Sequence, residues 1–200
     1  LGEASVFYSH SETEYSNVPG LIQRPGFETN SVGLSYSRKL GSRLTGTAMV
    51  SQTEAKSTSS TGGSSGDFEG INYAVAATYP PSSRLAQGVS LSKNISPSTR
   101  VGRLFSVREG VTVDASYKIG SRFTYTLGAG QRRYSARGTL GTGGLVLKSS
   151  RVNELTTSLR YQQNDRLSFV FDASHIENTT SDPLFDYSAT RVGLTTSLSF

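Results

Sequence analysis

The 200-residue chain has no cysteine, only two histidines, and no apolar run near the eighteen or so residues that a membrane helix needs. Without cysteine there is no disulfide, no zinc–thiolate site and no thiol nucleophile. Good helix formers are sparse, and no amphipathic stretch of Ala, Leu, Glu and Lys reaches useful length. No metal-ligand spacing, P-loop or dinucleotide fingerprint occurs, so no cofactor is expected. The chain opens Leu1-Gly2-Glu3-Ala4 with no basic-then-apolar leader, although a strand pattern begins almost at once. The expectation is a leader already removed or a start inside a longer protein. The formal charge of +5 is spread along the chain rather than gathered with aromatics, which argues against a nucleic-acid partner.

What the chain does have is 10 Tyr, 9 Phe, 21 Gly and abundant Ser and Thr, the chemistry of strands and turns. Its dominant signal has period two. Val111, Val113, Ala115, Tyr117 and Ile119 alternate with Thr112, Asp114, Ser116 and Lys118. After Gly120-Ser121, Phe123, Tyr125, Leu127 and Ala129 alternate with polar residues and glycine. The same hairpin recurs around Leu40–Arg43, Pro80–Ser83 and Gln163–Asp165. Each copy places a tyrosine near the end of its first strand (Tyr36, Tyr79, Tyr117, Tyr161) and an arginine after the turn (Arg43, Arg84, Arg122, Arg166). With a strand at Ala4–Tyr8 and another at Val192–Phe200, the count is ten. The spacing of about forty residues also suits a propeller blade, but a blade needs four strands per repeat and here there are two long ones.

Four short turns alternate with five longer linkers, expected at about 11–29, 54–67, 97–106, 135–149 and 179–186. Short turns at one end and long loops at the other is the asymmetry of outer-membrane barrels. The expected fold is therefore all-β: an antiparallel up-and-down transmembrane β-barrel of about ten strands over residues 1–200, with short periplasmic turns and longer extracellular loops. In lipid the backbone must satisfy its own hydrogen bonds, so such a sheet closes on itself. The apolar face meets acyl chains, and the four tyrosines suit an interfacial girdle. Lumen-facing charges are expected at Asp114, Lys118, Arg122, Arg132, Glu154, Arg160, Asp172 and Arg191. They suit either a bracing salt-bridge network or a pore lining.

The closing segment Val192-Gly193-Leu194-Thr195-Thr196-Ser197-Leu198-Ser199-Phe200 resembles the C-terminal signal of bacterial outer-membrane proteins. Leu194, Leu198 and Phe200 would carry that signal, and the resemblance implies recognition by the barrel-assembly machinery. The repeated hairpins resemble the putative porin-2 class of barrels, some of which accompany exopolysaccharide export. That class implies a bacterial outer-membrane location, contact with lipopolysaccharide, and a pore, export conduit or membrane anchor with a periplasmic or export-complex partner. Its members are usually longer, so residues 1–200 are also readable as the C-terminal part of a larger barrel.

Two other functions stay open at this point. His175, toward lipid by alternation, stands where an outer-membrane lipid A deacylase would place its histidine. Position 177 is Glu rather than Ser, and neither Ser174 nor Ser188 is clearly placed as nucleophile. An omptin-like protease would need acidic pairs with His-Asp, which do not assemble. A soluble β-sandwich binding module would instead bury Val111, Val113, Tyr125 and Leu127. Finally, Arg100, Arg103, Arg132, Arg133 and Arg137 are candidate contacts for phosphate or an acidic glycan.

Overall fold

The computed structural model describes residues 2–14, 26–57, 68–97, 103–139 and 149–198. Ten strands occupy them: β1 (Glu3–Thr13), β2 (Phe27–Leu40), β3 (Leu44–Ser57), β4 (Phe68–Tyr79), β5 (Leu85–Pro97), β6 (Arg103–Ile119), β7 (Phe123–Thr139), β8 (Ser149–Gln162), β9 (Leu167–Thr180) and β10 (Tyr187–Leu198). Each pairs antiparallel with the next in chain order, forming one up-and-down sheet. A 3-10 turn at Pro183–Phe185 is the other element, capped by the Asp182 side chain. No helix among the described residues is long and apolar enough to cross a membrane.

The number, order and direction of the strands are those the alternation predicts. The sheet is not closed, however: β1 and β10 are its two edges, and no ladder joins them among the described residues. Nor is there a second sheet among the described residues, so the two-sheet sandwich does not form there. Val113 and Leu127, which a sandwich would bury, are 49% and 45% exposed.

The strands run further toward the long connections than the apolar pattern indicated. The linkers are 14–26, 58–67, 98–102, 140–148 and 181–186. An antiparallel ladder needs backbone partners, not apolar side chains. It therefore continues through polar pairs such as Ser11 with Thr29 and Asn30 with Glu54.

The pairing is staggered in one direction. Cross-strand partners starting at Ala4 pass through Tyr36, Ala48, Val75, Leu91, Val111, Gln131, Asn153 and Glu177. They arrive at Ser188, ten residues before β10 ends at Leu198. Ten residues at about 3.3 Å, set against nine strand spacings of about 4.8 Å, give the strands a lean of roughly 37°.

The short turns are built locally. Gly41 and Gly120 take φ of 67° and 65°, which side chains disfavour. Ser82 Oγ accepts the amides of Arg84 and Leu85 at 3.2 and 3.0 Å. Asn164 Oδ1 accepts those of Arg166 and Leu167 at 2.9 and 2.8 Å. The turn arginines tie neighbouring hairpins together through the backbone. Arg84 O and Arg122 O accept from Lys118 N and Gln162 N, each at 2.8 Å. Arg43 donates to Pro81 O.

The buried core lies at the loop end. Phe27, Ala55 and Phe105 are each 2% exposed, with Phe68 packed against them. By alternation Phe27, Ala55 and Phe68 belong to the polar face of the sheet, whereas Phe105 shares the apolar face with Val107 and Val111. Their contact means that the β5–β6 tip has slipped behind β2–β4, so that the sheet overlaps itself there.

Candidate functional site

Alternation sorts the strands into two faces with opposite chemistry. One carries Val6, Leu34, Val50, Val75, Val89, Val113, Leu127, Leu159, Phe171 and Leu194, all exposed. The other carries mainly Ser, Thr, Ala and Gly with scattered charge. In the described strands six cations (Lys39, Arg108, Lys118, Arg132, Arg160, Arg191) share that face with four carboxylates (Glu3, Asp114, Glu154, Asp172).

Seven of the eight charges expected on that face are on it. Arg122 instead occupies the turn between β6 and β7. Arg132 and Glu154 form an ion pair across β7 and β8. Asp114, Lys118, Arg160, Asp172 and Arg191 form none among the described residues, so a bracing network is absent there. Arg108 stacks over Tyr134, with its guanidinium carbon 5.0 Å from the ring centroid.

Glycines make room for the carboxylates. A Cβ at Gly88 would stand 2.6 Å from Asp114 Oδ1, and one at Gly193 would stand 2.8 Å from Asp172 Oδ1. Each glycine is the direct cross-strand partner of its aspartate.

Tyr36, Tyr79, Tyr117 and Tyr161 are all on the apolar face toward the turn end. Tyr161 stacks on Phe123 with centroids 4.8 Å apart and on Phe169 at 6.3 Å. Tyr117 faces Tyr125 across the ladder, and Tyr125 Oη accepts from Thr157 at 3.0 Å. Phe123, Tyr125 and Phe169 thus extend the aromatic row. The signal for them was an aromatic within three residues of each turn arginine in the last two hairpins.

Leu194 and Leu198 lie on the apolar face opposite Phe171 and Leu167. Phe200 lies outside the described residues, as does Arg100. Arg103 and Arg137 have described backbone in β6 and β7, but their side chains lie outside the description. Arg132 and Arg133 are neighbours on a strand and point to opposite faces. The described part of the arginine group is therefore not one patch.

His175 is on the apolar face, in line with Leu155 and Ala129. Its Nδ1 is 2.9 Å from Thr190 Oγ1, and its Nε2 is 3.6 Å from Glu177 Oε1. Ser174 is on the opposite face, and Ser188 stands opposite Glu177. His10 meets Asn30 Oδ1 at 2.8 Å and Glu28 at 3.9 Å, with no aspartate beside it among the described residues. No cluster of His, Asp and Glu among the described residues could hold a metal ion.

Two comparisons were negative: no known family model and no curated protein matches the chain.

Proposed function

We propose that the chain builds the wall of a bacterial outer-membrane β-barrel acting as a pore, export conduit or membrane anchor. The observation that carries this is the exposed apolar face, which no second sheet covers among the described residues and which a polar face backs. Contiguous exposed apolar surface on that scale is uncommon on monomeric soluble proteins, and acyl chains would cover it. The lean of roughly 37° supports the same reading, since barrel strands tilt by about 35–45°. Closure would bring β1 and β10 together, or join both edges to further strands. The aromatic row at the turn end fits one membrane interface, and the short turns would then face the periplasm. Lipopolysaccharide and the barrel-assembly machinery are the proposed partners. A link to polysaccharide export, as in the putative porin-2 class, rests on the hairpin resemblance.

The test is reconstitution of the chain into detergent and lipid vesicles. Heat-modifiable migration, a β-type circular dichroism spectrum and protection by vesicles are expected. A monomer that stays soluble at high concentration without detergent would overturn the proposal.

One contact favours a second reading, a surface hydrolase in which His175 activates the Thr190 hydroxyl. Against it, His175 and Glu177 side chains are 46% and 60% exposed and more than hydrogen-bond distance apart. His175→Ala should leave lipid A unchanged in cells; loss of an acyl-ester hydrolysis would favour the hydrolase.

A further inference from the structure

The ladder between β4 and β5 stops early. It joins Tyr73–Tyr79 to Gln87–Lys93, although β4 begins at Phe68 and β5 continues to Pro97. Where it stops, a side chain takes over: Asn72 Oδ1 accepts the Ile95 amide at 2.9 Å, and Asn72 Nδ2 donates to Thr53 Oγ1 at 2.7 Å. Beyond this point the strands part and overlap. Phe105 lies 5.4 Å from Phe27 and 5.3 Å from Phe68, ring centre to ring centre. Ile95 Cδ1 lies 2.6 Å from where a Cβ on Gly70 would be, so a side chain at that position would have to push the tip of Ile95 aside.

A cavity of about 440 Å³ lies at this parting, lined by residues of both faces. Phe68 belongs to the polar face, and Glu69, Lys93, Glu109 and Arg133 to the apolar one. In an unbroken sheet these would not line one space, so the cavity lies where the overlap brings the two faces together.

We propose that this parting is a lateral opening which binds the head of a zwitterionic amphiphile, a phosphoethanolamine-type group, arriving from the lipid side. The proposal rests on the membrane reading above. The cavity offers an apolar floor, with Phe68 and Ile95, and a mouth with two carboxylates and two cations. Lys93 stands 3.9 Å from Glu109. Arg133 has no ion pair among the described residues. An acyl chain alone would strand these charges away from water, at high cost. A purely anionic head would meet Glu69 and Glu109. A head carrying both an ammonium and a phosphate places each beside its complement, with the phosphate toward Arg133. The volume falls in the range of small-ligand pockets, about 300–1,000 Å³.

The experiment is native mass spectrometry of the full chain, refolded in non-ionic detergent, with phosphatidylethanolamine or phosphatidylglycerol of matched acyl chains. Phosphatidylethanolamine should bind about tenfold more tightly, the worth of one charge-assisted hydrogen bond. Glu69→Gln with Glu109→Gln, which removes the carboxylates that the ammonium would meet, should abolish that preference, and Ser135→Trp, which fills the cavity without changing charge, should abolish the bound adduct. Equal binding of the two lipids, or a preference that survives both variants, would overturn the proposal. The Glu69/Glu109 double variant and Ser135→Trp act on different properties of the cavity, so misfolding of one leaves the other as the test. A chain that never enters detergent or vesicles would fail the membrane reading instead. Normal insertion without lipid preference would fail this inference alone.

Discussion

Asn72 accepts the backbone amide of Ile95 at 2.9 Å, one residue beyond the last β4–β5 ladder pair, Tyr73 with Lys93. A side-chain carbonyl there replaces a main-chain one, and the same amide group holds the buried hydroxyl of Thr53. Asn72→Ala leaves both groups without that partner, at a cost of about 1–3 kcal/mol. Hydrogen exchange at Ile95 should accelerate strongly, while that at Val89, inside the intact ladder, should not. Unchanged exchange at Ile95 would show that the parting is held by the aromatic cluster alone.

Val113 and Thr112 are adjacent on β6 and face opposite ways, Val113 outward with the apolar rows and Thr112 toward Ser90 across the ladder at 2.5 Å. Val113 is six residues from the turn end of its strand, near where a spanning strand of about 9–11 residues meets the bilayer midplane. Val113→Arg should therefore lower folding stability in vesicles by about 2–4 kcal/mol, while Thr112→Arg should cost far less. Urea titration in lipid vesicles measures both. Equal effects would mean that neither face meets lipid.

The strand number, the order of pairing and the identity of the two faces were legible in the alternation of residues such as Val111 to Ile119, because a pleated strand writes its two environments at period two. The strand ends toward the loops were not legible. There the pairing rests on backbone groups shared by every residue, and Glu54 or Arg133 looks the same in a ladder as in a loop. The overlap at the loop end was also hidden. Phe105 reads as one more apolar-face residue, and only the slippage of β5–β6 behind β4 turns it toward Phe27. Nor could spacing show that Thr190, rather than Ser174 or Ser188, meets His175, since this depends on the β9–β10 register.

Gly120 and Gly46 separate two uses of glycine. At both, the place a Cβ would take has no other atom within 4 Å, but only Gly120 has positive φ, at 65°. Gly120→Ala should cost about 1–2 kcal/mol through backbone strain alone. Gly46→Ala should be neutral or slightly stabilising, since it restricts the unfolded chain. Matched denaturant titrations of the two variants decide it. A Gly120→Ala protein as stable as the Gly46→Ala one would contradict the turn geometry.

The polar face is cation-rich, and its charges are mostly not neutralised in place. Arg132 has Glu154, but Lys118, Arg160 and Arg191 have no ion-pair partner among the described residues, and the carboxylates of Asp114 and Asp172 sit in niches left by Gly88 and Gly193. If this face lines an aqueous lumen, the excess positive charge attracts anions over distances comparable to the Debye length, about 8 Å at physiological salt. Planar-bilayer recordings across a salt gradient should show a reversal potential on the anion-selective side. Lys118→Glu with Arg160→Glu changes the face by four charge units and should move that potential toward cation selectivity, most strongly at low salt. Arg38→Glu, on the opposite face of β2, should leave it where it is. Conductance with unaltered selectivity in the Lys118/Arg160 variant would place the ion path elsewhere, and a channel equally sensitive to Arg38→Glu would mean that surface charge at the mouth, not the polar wall, sets the preference.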